Sequence, residues 1–99
     1  MSTLERIIRK NKELFLSVAI KFLHERKNRI LKELSDIERK IKEFERKYGC
    51  FESFSSSLPN DFEYHEIWFE WKSLLELKKE LEKELKDIED ATKEIIRGK

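Results

Sequence analysis

Three side chains in this sequence have the chemistry for nucleophilic, acid–base or metal work: Cys50, His24 and His65. A cysteine beside a histidine can make a thiolate–imidazole pair. Two histidines four apart on a helix, with a glutamate between, make a zinc-hydrolase site. Neither arrangement is completed. His65-Glu66-Ile67-Trp68-Phe69 opens like the zinc motif but has Phe69 where the second histidine belongs, and His24-Glu25 ends the same way at Asn28. The three residues share no ligand spacing, and a structural zinc normally takes four ligands. Cys50 with His65 would lack the third group that orients the base. The only glycines are Gly49 and Gly98, so no phosphate-cradling loop exists. The expectation is a chain that is not an enzyme, with no active site, cofactor or metal.

What remains is recognition chemistry. Nine of the eleven aromatic residues lie between Phe44 and Trp71. Within Asp61–Trp71 stand four acids (Asp61, Glu63, Glu66, Glu70), five aromatics (Phe62, Tyr64, Trp68, Phe69, Trp71) and no lysine or arginine. Rings supply concentrated contact area, and acids of one sign select a basic partner. Asp61, Phe62, Glu63, Tyr64, Glu66, Trp68, Glu70 and Trp71 are the candidate partner-binding residues. The competing reading is a self-contained aromatic cluster with an acidic rim. Two basic clusters, Arg6–Lys12 and Arg26–Arg29, have no stacking aromatics between them and fit no DNA-reading motif. They read as solvated helix faces, and nucleic acid is not an expected partner.

These residues must be positioned by helices. Charged residues make up 43% of the 99, with two Gly and one Pro, a composition suited to long helices. Leu16, Ile20, Leu23, Lys27, Ile30, Leu34, Ile37, Ile41, Phe44 and Tyr48 are spaced alternately by four and three, the heptad spacing of a coiled-coil seam. Ile67, Trp71, Leu74, Lys78, Leu81, Leu85, Ile88, Thr92 and Ile95 repeat the pattern. Between them lie Gly49, Ser55-Ser56-Ser57 and Pro59-Asn60-Asp61, a loop composition with room for a helical turn at Phe51–Phe54. The fold expected is all-α, a single-domain antiparallel two-helix coiled-coil hairpin. Its helices cover about 4–48 and 64–97, and its tip loop covers 49–63. Residues 1–48 carry a net charge of about +6 and residues 49–99 about −5, so antiparallel arms attract each other. Antiparallel pairing should set Phe44 near Ile67, Leu34 near Lys78 and Leu16 near Ile95, leaving residues 1–13 beyond the second helix.

One hairpin buries one narrow stripe. Leu4, Ile7, Ile8, Leu31, Leu75 and Leu77 fall outside it, and the run Leu14–Leu23 is wider than a seam. Leu14, Phe15, Leu16, Val18, Ile20, Phe22 and Leu23 are therefore the candidate self-association residues, and the expected assembly is a homodimer forming a four-helix bundle. The alternative folds residues 1–23 back as a third helix. The same run is too short to cross a bilayer, which needs about 20 apolar residues, and no small-residue cleavage site follows it. With one cysteine, no intramolecular disulfide can form. From both features the cytoplasm is the expected compartment. The absence of Gln and the abundance of Lys, Arg and Glu suggest a thermophilic source, where surface ion pairs gain value.

The stretch ERKYGCFESF, followed after a gap by DFEYHEIWFEWKSLLELKKELEKELK, resembles a group of small prokaryotic helical proteins. Their pattern is a helix ending in Lys-Tyr-Gly, a Phe-containing turn, and an acidic helix start with a Glu-Trp pair. Lys47, Tyr48, Gly49, Phe51, Phe54, Glu70 and Trp71 carry it here, within residues 45–86. Proteins of this kind are similar to antitoxins encoded beside short nuclease-like toxins. The resemblance implies a small basic toxin as partner, neutralised by the acidic, aromatic tip. The DNA-binding module that many antitoxins carry has no counterpart in this sequence.

Overall fold

The computed structural model describes residues 2–97. Three helices account for nearly all of them: α1 (Thr3–Tyr48), α2 (Phe51–Ser56) and α3 (Phe62–Arg97). The chain is all-α, with no strand among the described residues. α1 starts where Ser2 caps it, the serine hydroxyl accepting from the Glu5 backbone N–H at 3.1 Å. It then runs unbroken for 46 residues, so residues 3–23 do not fold back as a separate third helix. At about 1.5 Å per residue such a helix is roughly 69 Å long, which accounts for most of the 74 Å long axis.

α1 stops at Gly49, whose φ of 83° lies in the region where a Cβ is strained. The Gly49 N–H still donates to the Glu45 carbonyl at 2.8 Å. α3 begins at Phe62 because Asp61 caps it, one carboxylate oxygen accepting from the Glu63 N–H at 3.0 Å. The intervening segment is partly helical. In α2, Ser56 and Ser57 donate back to the carbonyls of Glu52 and Ser53, both at 2.8 Å, closing its last turn.

α3 lies against α1 with opposed chain direction. Arg26 and Lys27 meet Glu84 and Glu89, Glu38 meets Lys78 and Phe44 meets Trp71, so the α3 numbers fall along the hairpin as the α1 numbers rise. The core between them is built from Ile30, Leu34, Ile37 and Ile41 of α1 and Leu81 and Ile88 of α3, with Leu23, Leu74, Leu75 and Leu85 packed against it. Every position of the two heptad series is buried or half-buried. Lys27 and Lys78, the charged members, keep their ammonium groups beside Glu89 (3.7 Å) and beside Glu38 and Glu82 (both 3.9 Å) while their stems cover the seam.

The side-chain pairs straddle the expected register: Arg26 meets Glu84 close to it, while two other pairs lie about one turn beyond. Phe44 stacks on Trp71 where Ile67 was expected opposite it, and Lys78 pairs with Glu38 where Leu34 was expected. Four rings from α1 and α2 gather around Trp71, beside the end of α1. Leu75, read from spacing as uncovered, packs against the core instead. No helix of the described residues is long and apolar enough to cross a membrane.

Candidate partner-binding tip

Trp71 is fully buried, and its indole is the centre of the tip. Phe44 stacks on it at 5.4 Å between centroids, Phe51 meets it edge-on at 5.2 Å, and Phe54 and Tyr48 tilt against it at 5.5 and 6.5 Å. These contacts hold α2 in the corner between the two long helices. Trp71 Nε1 has no protein hydrogen-bond partner, although its surroundings are apolar and closed. As a member of a partner-binding set, Trp71 is therefore corrected. The α3 face that carries the seam carries this ring inward, and no partner can touch it without opening the tip.

Trp68 has a divided role. Its Nε1 donates to Ser55 Oγ at 2.9 Å, and its ring stacks on Phe51 at 6.2 Å, so it ties α2 to α3. The Lys72 ammonium sits 4.8 Å from the ring centroid, a cation–π contact. Trp68 remains half-exposed. Asp61 is exposed, but its carboxylate is engaged at the start of α3. Glu70 lines the same groove as Lys40 and Lys47 of α1, so part of its field meets bases of its own chain.

The open part of the set is smaller. Phe62 is 76% exposed, Tyr64 is 37% exposed, and Glu63 and Glu66 are exposed. Phe69, omitted from the expected contact residues, is 62% exposed and meets the Trp68 ring edge-on at 5.1 Å. Phe62, Glu66 and Phe69 are spaced by four and three, so they share one stripe of α3 turned away from the Trp71 side. The signal for Phe69 was present in that spacing, because it stands seven residues after Phe62 and off the seam.

The residues with catalytic potential stay apart in role. Cys50 is exposed at the start of α2, and Ser53, hydrogen-bonded to its sulfur at 3.1 Å, holds the thiol below its ordinary pKa. His65 is half-buried on α3, and His24 lies exposed on α1. Among the described residues, no three His, Cys, Asp or Glu side chains are grouped as a metal site would need.

Far from the tip, the strongest polar contact between the helices is bidentate. Arg26 Nε and Nη2 donate to the two carboxylate oxygens of Glu84 at 2.8 and 3.0 Å. Hydrogen bonding to the Arg26 guanidinium holds the Glu84 carboxyl below its usual pKa, and the same contact raises Arg26.

The expected self-association residues separate into two groups. Leu16, Ile20 and Leu23 are half-buried on the seam side, whereas Leu14, Phe15, Val18 and Phe22 are 59–71% exposed. The run is wide because it serves two faces of one helix. Leu23 packs against the core, and Leu16 and Ile20 continue the same heptad series along α1.

Comparison with family models, with curated proteins and with solved structures found no match to this chain.

Proposed function

We propose that this chain is a non-catalytic protein-binding module, an antiparallel coiled-coil hairpin that offers the acidic, aromatic start of α3 to a basic protein partner. The observation that carries this reading is the stripe Phe62–Glu66–Phe69. Its two phenylalanines stay 76% and 62% exposed while Trp71 and Phe54 beside them are buried. Exposed rings that a nearby aromatic core does not absorb suit an interface. The four acids and absent bases of Asp61–Trp71 give that interface a basic counterpart. On the resemblance described above, the partner is a small nuclease-like toxin encoded alongside. Glu63 and Glu66 would then occupy the basic site that the toxin uses for its polyanionic substrate. The cytoplasm is the compartment this reading implies, and Cys50 would stay a free thiol there.

The test is co-expression with the neighbouring small basic reading frame, pull-down and titration of variants. Phe69→Ala should weaken binding by about 2–4 kcal/mol if it is a central anchor, roughly 30- to 1000-fold in Kd. Glu63→Lys with Glu66→Lys should mainly slow association at low salt, an effect that fades as salt rises. Both variants should keep their thermal stability, because these side chains are exposed. Unchanged binding by both would remove the tip from the interface.

The second reading is a homo-oligomeric coiled-coil scaffold or adaptor with no toxin partner. The observation that favours it is the exposed apolar surface of residues 4–22. In both readings the chain meets a second copy, and the side-by-side arrangement of two hairpins is a four-helix bundle.

A further inference from the structure

The exposed apolar residues are concentrated at one end of the molecule. Seven of the thirteen large hydrophobic residues left open lie between Leu4 and Phe22, whereas the body between the helices leaves only Leu31 and Leu77 open, at 45% and 41%. Leu4, Ile8, Asn11, Phe15, Val18 and Phe22 are spaced four, three, four, three and four. This is a second heptad stripe, displaced by roughly 130° around α1 from the seam that meets α3. Residues 2–15 are all exposed, and α1 becomes half-buried only from Leu16 onward. The first four turns of α1 therefore form an arm with no support from α3.

We propose that this arm is the dimerisation element, and that its occupant is the arm of a second copy laid antiparallel to it. Three observations select that occupant and orientation. The first is area. The five open apolar residues of the stripe expose on the order of 100 Å² each, about 500 Å² per partner, or the roughly 1,000 Å² in total that a specific interface must clear. The second is where the stripe stops. Continuing the same spacing past Phe22 gives Glu25, Arg29 and Lys32. A parallel in-register pair would run on into these layers and set like charges opposite each other. An antiparallel overlap centred near residue 13 ends where the apolar residues end. The third is layer size. That overlap sets Phe22 opposite Leu4 of the second copy, Phe15 opposite Asn11 and Ile8 opposite Val18, pairing each large ring with a smaller side chain. Asn11 is the one polar member, and a polar residue in such a stripe fixes register at some cost in affinity.

The arrangement differs measurably from a side-by-side bundle. An overlap over residues 4–22 is about 28 Å long. Two 74 Å molecules joined that way extend to about 120 Å, whereas two molecules packed side by side keep a length near that of one. Small-angle scattering with light scattering on the full chain separates them. The expected result is a dimer with a maximum dimension of about 120 Å. Phe15→Asp should convert it to a monomer at about 100 µM, because a charge would enter a central layer. Phe15 is 71% exposed and lies outside the described core, so the variant should keep its folded body by circular dichroism. Leu77→Glu should leave the dimer intact. Asn11→Leu should tighten it at least tenfold. A compact dimer, a dimer lost in Leu77→Glu but kept in Phe15→Asp, or a wild-type monomer at all concentrations would each overturn the proposal. Partner binding at the tip is unaffected by Phe15→Asp if the two surfaces are separate, so failure of one reading is visible without failure of the other.

Discussion

If Trp71 organises the tip, its truncation should be among the most damaging substitutions available in this chain. Trp71→Ala removes a fully buried indole that contacts four other rings. Losses of this kind cost about 3–5 kcal/mol, a large share of the roughly 5–15 kcal/mol by which a small domain is stable. At about 4–8 °C per kcal/mol for a chain of this size, the midpoint should fall by more than 10 °C. Trp71→Phe separates two opposing effects. It leaves a void of roughly 40 Å³, which costs about 1 kcal/mol if nothing collapses into it. It also removes the Nε1–H that has no protein acceptor, returning about 1–3 kcal/mol of desolvation cost. The Phe variant should therefore lie between neutral and about 2 kcal/mol more stable than the wild type. The assay is urea and thermal unfolding followed by circular dichroism, at one fixed protomer concentration because association shifts the midpoint. A Trp71→Ala cost below about 1 kcal/mol would show that the ring does not hold the tip together. A Phe variant as damaged as the Ala variant would show that the indole N–H is satisfied.

Two further substitutions test the long helices and their junction. Hydrogen bonding to Arg26 keeps the Glu84 carboxyl ionised below its ordinary range, so the folded state binds its proton less readily than the unfolded state. That contribution is fully present above the ordinary glutamate pKa and is lost as pH falls through the depressed one. Glu84→Gln should flatten the acid limb of the stability–pH curve and lower neutral stability by the same amount, a small one because both side chains are partly exposed. An acid limb identical to the wild type would show that the pair is not formed in solution. Gly49→Ala should cost about 1–3 kcal/mol in the same unfolding assay. A Cβ there would meet nothing within 4 Å, so the cost is that of the φ of 83° and not of a clash. A neutral substitution would show that α1 ends with a different backbone turn.

Spacing alone determined which residues line the contact between the long helices. Ile30, Leu34, Ile37 and Ile41 recur at the interval that keeps one helix face toward a neighbour, and that interval is a property of the α-helix itself. Gly49 was legible as a helix boundary for the same local reason, because the end of a helix depends on φ and on one hydrogen bond nearby, whereas α3 begins at Phe62, ahead of the expected start near 64. The tip was not legible in this way. Tyr64, Trp68, Phe69 and Trp71 are all aromatic, and composition cannot say which ring turns inward. Trp71 does so because Phe44, Tyr48, Phe51 and Phe54 arrive around it from two other helices, a condition set by contacts between residues as much as 27 positions apart. The run Leu14–Leu23 showed an excess of apolar residues in sequence. Helix face divides the run, with Leu16, Ile20 and Leu23 on the seam side and Leu14, Phe15, Val18 and Phe22 off it. Only the tertiary structure decided that the seam side is half-buried from Leu16 onward and exposed before it, because burial depends on where the neighbouring element stops.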